Sequence, residues 1–347
     1  MRTELFDYEL PEELVAQHPP PERDGGRMLV LGSELEHAQV RELAERIPAG
    51  ALLVLNDTRV LCARLLGQRD SGGSTELLLS RHRGTSEDGQ RWLALGRPHK
   101  RLRPGTEVHF GALTARVLER LDGGRLEVLL TADGDVDAAL ERVGHVPLPP
   151  YVRRPDDAAD RERYQTVYAE RQGSVAAPTA GLHLTEAMLA RLAERDVRVA
   201  KTTLHVGAGT FKPVTADDLD QHDMHSEWLE VGPELASAIA DARRRGAPVV
   251  AIGTTVVRAL ESARDPARPG HVTPFAGETR LLIQPGYAFS VVDALLTNFH
   301  MPKSTLIALV AAFAGLDRVR SAYAEAVRRR YRFLSYGDAM WIPERAS

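Results

Sequence analysis

The chain of 347 residues lacks several features that mark secreted and membrane proteins. Cys62 is the single cysteine, so no disulfide can form within the chain. No apolar run approaches the roughly 18 residues that a membrane-spanning helix requires. The first residues are acidic and lack the apolar core of a signal peptide. We therefore expect a cytoplasmic protein that makes no membrane contact.

Lysine is scarce as well, and the formal net charge is −4. This balance argues against a protein that coats nucleic acid, but local basic patches can still contact phosphates. Two such patches stand at residues 97–103 and 328–332. The candidate nucleic-acid-binding residues are Arg97, Lys100, Arg101, Arg103, Arg328 and Arg330. Each patch is equally compatible with an ordinary solvated surface.

The segment from Val60 to Thr131 consists of short runs rich in leucine and β-branched residues, separated by glycine-containing turns. Closely spaced short strands of this kind are typical of an all-β barrel or sandwich. The runs are Leu61–Leu66, Thr75–Leu79, Arg91–Leu95, Thr106–Phe110, Leu113–Leu118 and Arg125–Leu130. A helical pattern at Val136–Val143 and the stiff Pro147-Leu-Pro-Pro then lead out of the segment.

On either side of this segment, apolar runs alternate with helical patterns, which indicates an α/β arrangement. The runs are Leu52–Leu55, Val197–Ala200, Val249–Ile252 and Leu281–Ile283. The helical patterns are Glu186–Glu194, Pro233–Arg245, Val256–Ala263, Thr305–Phe313 and Ala322–Arg329. We predict a mixed α/β main domain of residues 1–59 and 151–347, with a small all-β barrel-like domain inserted at 60–150.

Three loops in the second half of the chain each contain one histidine: Ala177–Thr185, Leu204–Phe211 and Thr297–Thr305. Glycine lets the backbone approach a ligand closely, and histidine can move protons near neutral pH. Together the loops predict a polar small-molecule site and favour an enzyme. Their candidate residues are Thr179, Gly181, His183, His205, Gly207, Gly209, Thr210, Asn298 and His300.

Two apolar runs end in polar residues, where the strands of α/β domains commonly carry ligand contacts. The first gives Asn56, Asp57 and Arg59. The second leads into Gly253, Thr254, Thr255, Arg258 and Glu261, where the free amides of a helix N-terminus suit a carboxylate or phosphate. Both motifs also have plainer interpretations: a turn with a local ion pair, and a helix capped by Thr254 or Thr255 with a surface ion pair. Arg332, Tyr336 and Asp338 complete the candidate site near the C-terminus.

Four histidines (His183, His205, His225 and His300) would be the natural ligands of a metal site. However, the sequence contains no paired ligands at helical spacing such as His-Glu-x-x-His. We therefore predict no metal site. A metal-dependent hydrolase that uses the histidine loops stays as an alternative.

Taken together, the motifs resemble the family of S-adenosylmethionine:tRNA ribosyltransferase-isomerases of queuosine biosynthesis. The resemblance covers nearly the whole chain, and its strength lies in the order of the motifs. They are Phe6–Pro11, Leu55–Val60, Gly144–Tyr151, Tyr164–Ala169, Ser174–His183, Thr203–Phe211, Ala251–Thr255, Leu296–His300 and Ser335–Met340. Departures are small: Gly26 replaces a common Ser, Cys62 a common Pro and Leu184 a usual Phe.

The resemblance implies that S-adenosylmethionine donates its ribosyl group to 7-aminomethyl-7-deazaguanine (preQ1) at the wobble position of tRNA. The products would be epoxyqueuosine-tRNA, adenine and methionine. S-adenosylmethionine is then a consumed substrate, with no other cofactor, and the partner is a tRNA with a GUN-type anticodon. We hypothesise that His205 or His183 moves the protons and that Asp57 or Asp338 deprotonates the acceptor amine. Gly253, Thr254, Thr255 and Arg258 would hold a carboxylate or the ribose, in a protein that we expect to be monomeric. A noncatalytic tRNA-binding protein stays as a second alternative.

Overall fold

In a computed structural model, which describes residues 1–207 and 214–346, strands and helices alternate along most of the chain. The first ten strands are β1 (Arg27–Leu31), β2 (Leu35–Gln39), β3 (Leu52–Asn56), β4 (Thr58–Val60), β5 (Arg64–Arg69), β6 (Ser74–Ser86), β7 (Gly89–Arg97), β8 (Glu107–Phe110), β9 (Leu113–Arg120) and β10 (Arg125–Ala132). The later strands are β11 (Arg171–Ser174), β12 (Arg198–His205), β13 (Glu227–Val231), β14 (Val249–Ile252), β15 (Phe275–Thr279), β16 (Ala294–Asn298) and β17 (Ala339–Ile342). The helices are α1 (Leu43–Arg46), α2 (Val136–Val143), α3 (Asp160–Arg163), α4 (Glu186–Glu194), α5 (Pro233–Arg244), α6 (Thr254–Ser262), α7 (Thr305–Ala314) and α8 (Leu316–Arg328).

Nine strands form one mixed sheet in the order β15-β13-β12-β3-β14-β16-β17-β1-β2. At its centre, β12 and β14 flank β3 in parallel, and β16 continues parallel beyond β14. The carboxyl ends of these four strands therefore lie at one edge of the sheet. The antiparallel strand β13 begins at the same edge, because Trp228 pairs with His205 at the end of β12. This edge is where an α/β sheet offers ligand sites.

Strand β3 shows why the sheet is covered on both faces. All five of its residues are buried, as expected for a central parallel strand. Leu52 and Val54 belong to a core formed with residues of α5, α6, α7 and α8, whereas Leu53 and Leu55 belong to a second core formed with α1 and α4. The alternation of side chains along a strand thus divides one apolar run between two cores, one on each side of the sheet.

The strands β5 to β10 form a closed barrel in the order β10-β7-β6-β5-β8-β9. Inward-facing residues alternate with outward ones, as in β9, where Leu113, Ala115 and Val117 are buried. The predicted fold class, a mixed α/β architecture with an all-β barrel, is thereby confirmed. The division into domains at residues 60 and 150 stays a prediction.

Two details differ from the sequence predictions. The run Leu281–Ile283 is not a strand, because its apolar side chains cover the core while the Leu281 carbonyl accepts a hydrogen bond from Arg258. Gly253, not a threonine, is the N-cap of α6, and no side chain caps that helix. Within the described residues, no helix is long and apolar enough to cross a membrane.

Candidate functional site

A pocket opens at the carboxyl edge of the central sheet strands, with about 890 Å³ of empty space including the part open to solvent. Four described segments supply most of its walls: 176–180, 253–258, 297–306 and 334–335. Tyr151, Val206 and Glu227 complete its lining. Residues of all three histidine loops thus meet the α6 motif around one cavity, the 204–211 loop through Val206.

Helix α6 presents its N-terminus to this pocket. Gly253 has φ +97°, a left-handed conformation that favours glycine and turns the chain abruptly from β14 into the helix. The first amides of any helix lack acceptors within it, and the helix dipole makes that end favourable for an anion. Gly253, Thr254 and Thr255 all line the pocket, so this end of α6 faces a site and not bulk solvent.

Arg258, one turn further along α6, forms a buried ion pair with Glu227 at the start of β13. Its Nε donates to the Leu281 carbonyl at 3.2 Å, while its Nη2 is buried without a hydrogen-bond partner. Sequence reasoning found Arg258 but missed Glu227. A signal was present, because Glu227 has the same parity along β13 as the buried Leu229 and Val231. A charge at an inward-facing strand position requires a partner.

Glu261 does not pair with Arg258, although both lie on α6. Its carboxylate accepts hydrogen bonds from the amides of Ser290, Val291 and Val292 at 2.9–3.2 Å. The Tyr287 hydroxyl lies 3.3 Å away as a further donor. Glu261 does not line the pocket, so its contacts are those of a structural anchor for the segment before β16.

Asn298 at the end of β16 connects the pocket to His183. Its Nδ2 lies 3.1 Å from His183 Nε2 and donates to the Leu334 carbonyl at 3.1 Å. Because an amide nitrogen only donates, His183 accepts at Nε2 and carries its proton on Nδ1. Burial lowers the pKa of the His183 imidazole to about 4, so the ring is neutral at pH 7. The Asn298 Oδ1 is buried without a partner.

His300 is the loop histidine whose side chain lines the pocket. Its Nε2 lies 2.9 Å from the Thr297 hydroxyl, and its backbone amide donates to the Tyr323 hydroxyl at 3.0 Å. Burial lowers the pKa of His300 to about 3. The ring is therefore a neutral hydrogen-bonding group held in a fixed position.

His205 and Asp57 form a separate group at the same sheet edge, outside the lining of the pocket. His205 Nδ1 lies 2.8 Å from the Thr58 hydroxyl, and its ring stacks on Trp228 at 5.2 Å. Burial, reinforced by the cationic Arg171, lowers the pKa of His205 to about 4. Burial raises the pKa of Asp57, which accepts a 2.7 Å hydrogen bond from the Thr203 hydroxyl.

Other predicted residues at this edge have different positions. Asn56 joins β3 to β12 through two 3.0 Å hydrogen bonds with the Leu204 backbone, whereas Arg59 is exposed. Thr179 lines the pocket, but Gly181 does not; a Cβ there would lie 2.1 Å from the Tyr168 hydroxyl, so close packing accounts for this glycine. Gly207 donates its amide to Glu227 at 3.3 Å. The predicted residues Gly209 and Thr210 lie outside the described residues.

The three predicted residues near the C-terminus do not line the pocket. Asp338 accepts hydrogen bonds from the Arg27 guanidinium and from the backbone amides of Arg27 and Arg332. Tyr336 donates to the buried Asp160 at 2.7 Å. These contacts hold the 332–338 segment, whose residues Tyr336 and Gly337 line a small cavity together with His183.

The two basic clusters differ in their surroundings. Arg97 ends β7, and Lys100, Arg101 and Arg103 follow it on the barrel surface, all exposed. None of these four side chains forms an ion pair with a described residue. In the second cluster, Arg328 pairs with Glu325 at 2.7 Å and Arg330 lies 3.7 Å from Glu13.

The histidines do not assemble into a metal site within the described part of the chain. The one group of three potential ligands found there is Asp70, Glu107 and His109 on the barrel surface. His109 Nε2 already lies 2.6 Å from Asp70 Oδ1. The separation of His183, His205 and His300 therefore does not favour the metal-dependent hydrolase.

Comparison with known proteins places the chain in a family. The model of the queuosine biosynthesis protein family matches residues 3–342, so the chain belongs to that family. A curated S-adenosylmethionine:tRNA ribosyltransferase-isomerase of Sorangium cellulosum (strain So ce56) is 55% identical over 368 residues, covering 99% of this chain and 98% of the relative. Its counterpart in Anaeromyxobacter sp. (strain Fw109-5) is 54% identical over 345 residues and 99% of both chains. The resemblance inferred from the motifs is confirmed.

A solved structure shares this architecture. The crystal structure of an S-adenosylmethionine tRNA ribosyltransferase from Thermotoga maritima matches with a TM-score of 0.55 and 36% sequence identity. The match covers 97% of this chain and 99% of the Thermotoga chain. Family and fold therefore agree over the same extent of sequence.

Proposed function

We propose that this chain is an S-adenosylmethionine:tRNA ribosyltransferase-isomerase. The observation that carries the proposal is the 52–55% identity to curated relatives of that name over 99% of the chain. The pocket at the sheet edge supports it, because a neutral histidine, a helix N-terminus and a buried arginine line one cavity there. S-adenosylmethionine is the donor, and it is consumed, with no further cofactor.

The proposed acceptor is the aminomethyl group of preQ1 at the wobble position of a tRNA with a GUN-type anticodon. We propose that a monomer carries out the reaction in the cytoplasm. The exposed cluster of Arg97, Lys100, Arg101 and Arg103 is the proposed tRNA contact, because its charges have no described ionic partners. Arg328 and Arg330 remain weaker candidates, since acidic neighbours offset their charge.

The proposed reaction requires a proton acceptor beside the donor. The sulfonium acidifies the neighbouring C5′–H, so a base removes that proton and adenine leaves from C1′ with the electron pair of its glycosidic bond and takes up a proton. The neutral acceptor amine then attacks the ribosyl group and loses a proton. Methionine leaves as a thioether when the epoxide closes. His205 and His183 stay the proposed proton carriers, and each is neutral at pH 7 because burial lowers its pKa to about 4. Asp57 or Asp338 stays the proposed base for the amine.

The decisive experiment measures adenine release from S-adenosylmethionine with and without preQ1-containing tRNA, in the presence of EDTA. We expect one adenine and one methionine for each tRNA that gains the mass of the transferred group. No release by well-folded protein would reject the proposed function. Release that EDTA abolishes would instead favour metal-dependent chemistry.

A matched pair of variants tests the proposed base. His205→Ala is expected to lower single-turnover adenine release by about 10²–10⁴-fold, the usual contribution of a positioned general base. His82→Ala is the control, because His82 is exposed on the barrel. Normal release by His205→Ala would remove His205 from the proton transfer and leave the overall reaction assignment intact.

A further inference from the structure

Two buried side-chain atoms of pocket-lining residues have no hydrogen-bond partner among the described residues. One is Nη2 of Arg258, and the other is Oδ1 of Asn298. Arg258 is 7% exposed and Asn298 is 2% exposed, and both line the pocket at the sheet edge. Leaving a buried donor or acceptor unpaired is costly, so native structures rarely do it without a functional reason.

Neither atom can easily find a partner by rotation of its own side chain. The Arg258 guanidinium is fixed by Glu227 through Nη1 and by the Leu281 carbonyl through Nε. The Asn298 amide is fixed because Nδ2 donates to the Leu334 carbonyl, so exchanging its oxygen and nitrogen would bring two acceptors together. The pocket therefore holds one preset donor and one preset acceptor.

These two atoms define the chemistry of a complementary ligand. The donor Nη2, together with the N-terminal amides of α6, favours a carboxylate. The acceptor Oδ1 favours an ammonium group. Among the described lining residues, Arg258 and Glu227 are the two charged side chains, and their charges cancel. A ligand group with one positive and one negative charge keeps that balance, whereas a bare anion would not.

We propose that this part of the pocket binds the zwitterionic head group of an α-amino acid. Arg258 and the start of α6 hold the carboxylate, and Asn298 holds the ammonium group. The proposal rests on the proposed function for the identity of the amino acid, which is the methionyl part of S-adenosylmethionine. His300 then borders the same ligand as a neutral neighbour.

Ligands that lack one charge test the site directly. Calorimetric titration compares S-adenosylmethionine with its decarboxylated form, and L-methionine with its methyl ester and with its 2-hydroxy analogue. We expect each missing charge to weaken binding to the wild-type protein by about tenfold or more, because a charge-assisted hydrogen bond is removed.

Protein variants assign each charge to its residue. Arg258→Lys is expected to reduce the preference for S-adenosylmethionine over its decarboxylated form to less than about threefold, since lysine lacks Nη2 but keeps the charge beside Glu227. Asn298→Ala should reduce the preference for L-methionine over the 2-hydroxy analogue in the same way. Arg264→Lys is the control and should keep both preferences, because Arg264 lies beyond α6 and does not line the pocket. A ratio of affinities is informative here, since a variant that is merely less stable would bind both ligands of a pair less well.

The outcomes separate this proposal from the proposed function. Adenine release together with equal binding of both donor forms would overturn the head-group site and keep the transferase. A preference for L-methionine over its ester, without binding of S-adenosylmethionine or adenine release, would keep the site and reject the transferase. An unchanged preference in Arg258→Lys would overturn the assignment to Arg258, and failure of the wild-type protein to bind any of the ligands would overturn the head-group site, whereas adenine release alone decides the transferase.

Discussion

The barrel interior and the edge of the nine-stranded sheet are both built from alternating strands, yet they bury different groups. The barrel core consists mainly of apolar side chains such as Leu65, Leu77 and Val128, and the buried polar residues of its strands, Arg69, Thr75 and Gln90, lie near strand ends. The sheet edge instead buries Asn56, Asp57, Glu227, Arg258, Asn298 and His300. Burying a polar group costs free energy unless a partner compensates, so one region is organised for stability and the other for contacts with a ligand.

This difference distinguishes residues whose polar groups stabilise the fold from residues whose polar groups are available to a ligand. At the sheet edge, most polar groups are satisfied within the chain: Asn56 by the Leu204 backbone and Asp57 by Thr203. Among the described residues that line the pocket, the atoms left over belong to Arg258 and Asn298. The proposed ligand group is therefore located by unsatisfied polar atoms on pocket-lining residues, and not by polar residues as such.

The contrast between the barrel and the sheet edge predicts the largest change in the free energy of unfolding where a buried carboxylate has a purely structural role. Glu261→Ala removes the acceptor of three backbone amides and should lower the free energy of unfolding by about 3 kcal/mol, because those amides stay buried and unpaired. Urea unfolding measures the change. Glu119→Ala, on the exposed side of barrel strand β9, is the control and should stay within about 0.5 kcal/mol. Equal effects of the two changes would contradict the contrast between the regions.

A smaller effect per pH unit is expected from the buried His183 on acidification. His183 has a pKa of 6.5 when unfolded and about 4 when folded, so below pH 6.5 the unfolded chain binds the extra proton first. The folded state should lose about 1.4 kcal/mol per pH unit for this group as the pH falls from 6.5 to 4, and nothing above 6.5. Urea unfolding at pH 7, 6 and 5 should show a shallower pH dependence for His183→Gln. His82→Gln is the control and should keep the wild-type pH dependence, because His82 is exposed on the barrel. An unchanged pH dependence in His183→Gln would contradict the lowered pKa of His183.

The smallest effect on stability is expected for substitutions on the barrel surface. Replacing Arg97, Lys100, Arg101 and Arg103 by serine should change the free energy of unfolding by less than about 0.5 kcal/mol. The same variant should bind tRNA more weakly and reduce the salt dependence of binding, by roughly one unit of slope for each phosphate that the protein no longer neutralises. Filter binding over a salt series measures both. Replacing Arg328 and Arg330 should weaken tRNA binding less. If that replacement weakened tRNA binding more, the tRNA-binding surface would be assigned to the C-terminal cluster.

Local patterning made much of the fold predictable. The helices predicted at Val136–Val143 and Glu186–Glu194 coincide with α2 and α4, and the six predicted barrel runs each overlap a strand. Their periodicity is set by neighbours within a few residues, which a sequence displays directly. The prediction of a strand at Leu281–Ile283 was wrong, because apolar residues can cover a core without pairing into a sheet.

The site was less predictable, because its contacts join distant parts of the chain. The motifs located the loops around His183, His205 and His300, but not which ring lines the pocket. Glu227 lies 31 residues from Arg258, and Asp338 lies 311 residues from Arg27. No local pattern records such pairs, and only the inward-facing charge on β13 hinted at one of them.

The position of β17 has a consequence for synthesis. This strand lies inside the sheet, between β16 and β1, and Ala339 pairs with Met28, which the ribosome makes about 310 residues earlier. The barrel, by contrast, is encoded entirely within residues 64–132. A growing chain thus has all the strands of its barrel long before its central sheet is continuous. Until β17 has emerged, no strand connects β1 to β16. One edge of the β1–β2 pair therefore stays unpaired in the nascent chain.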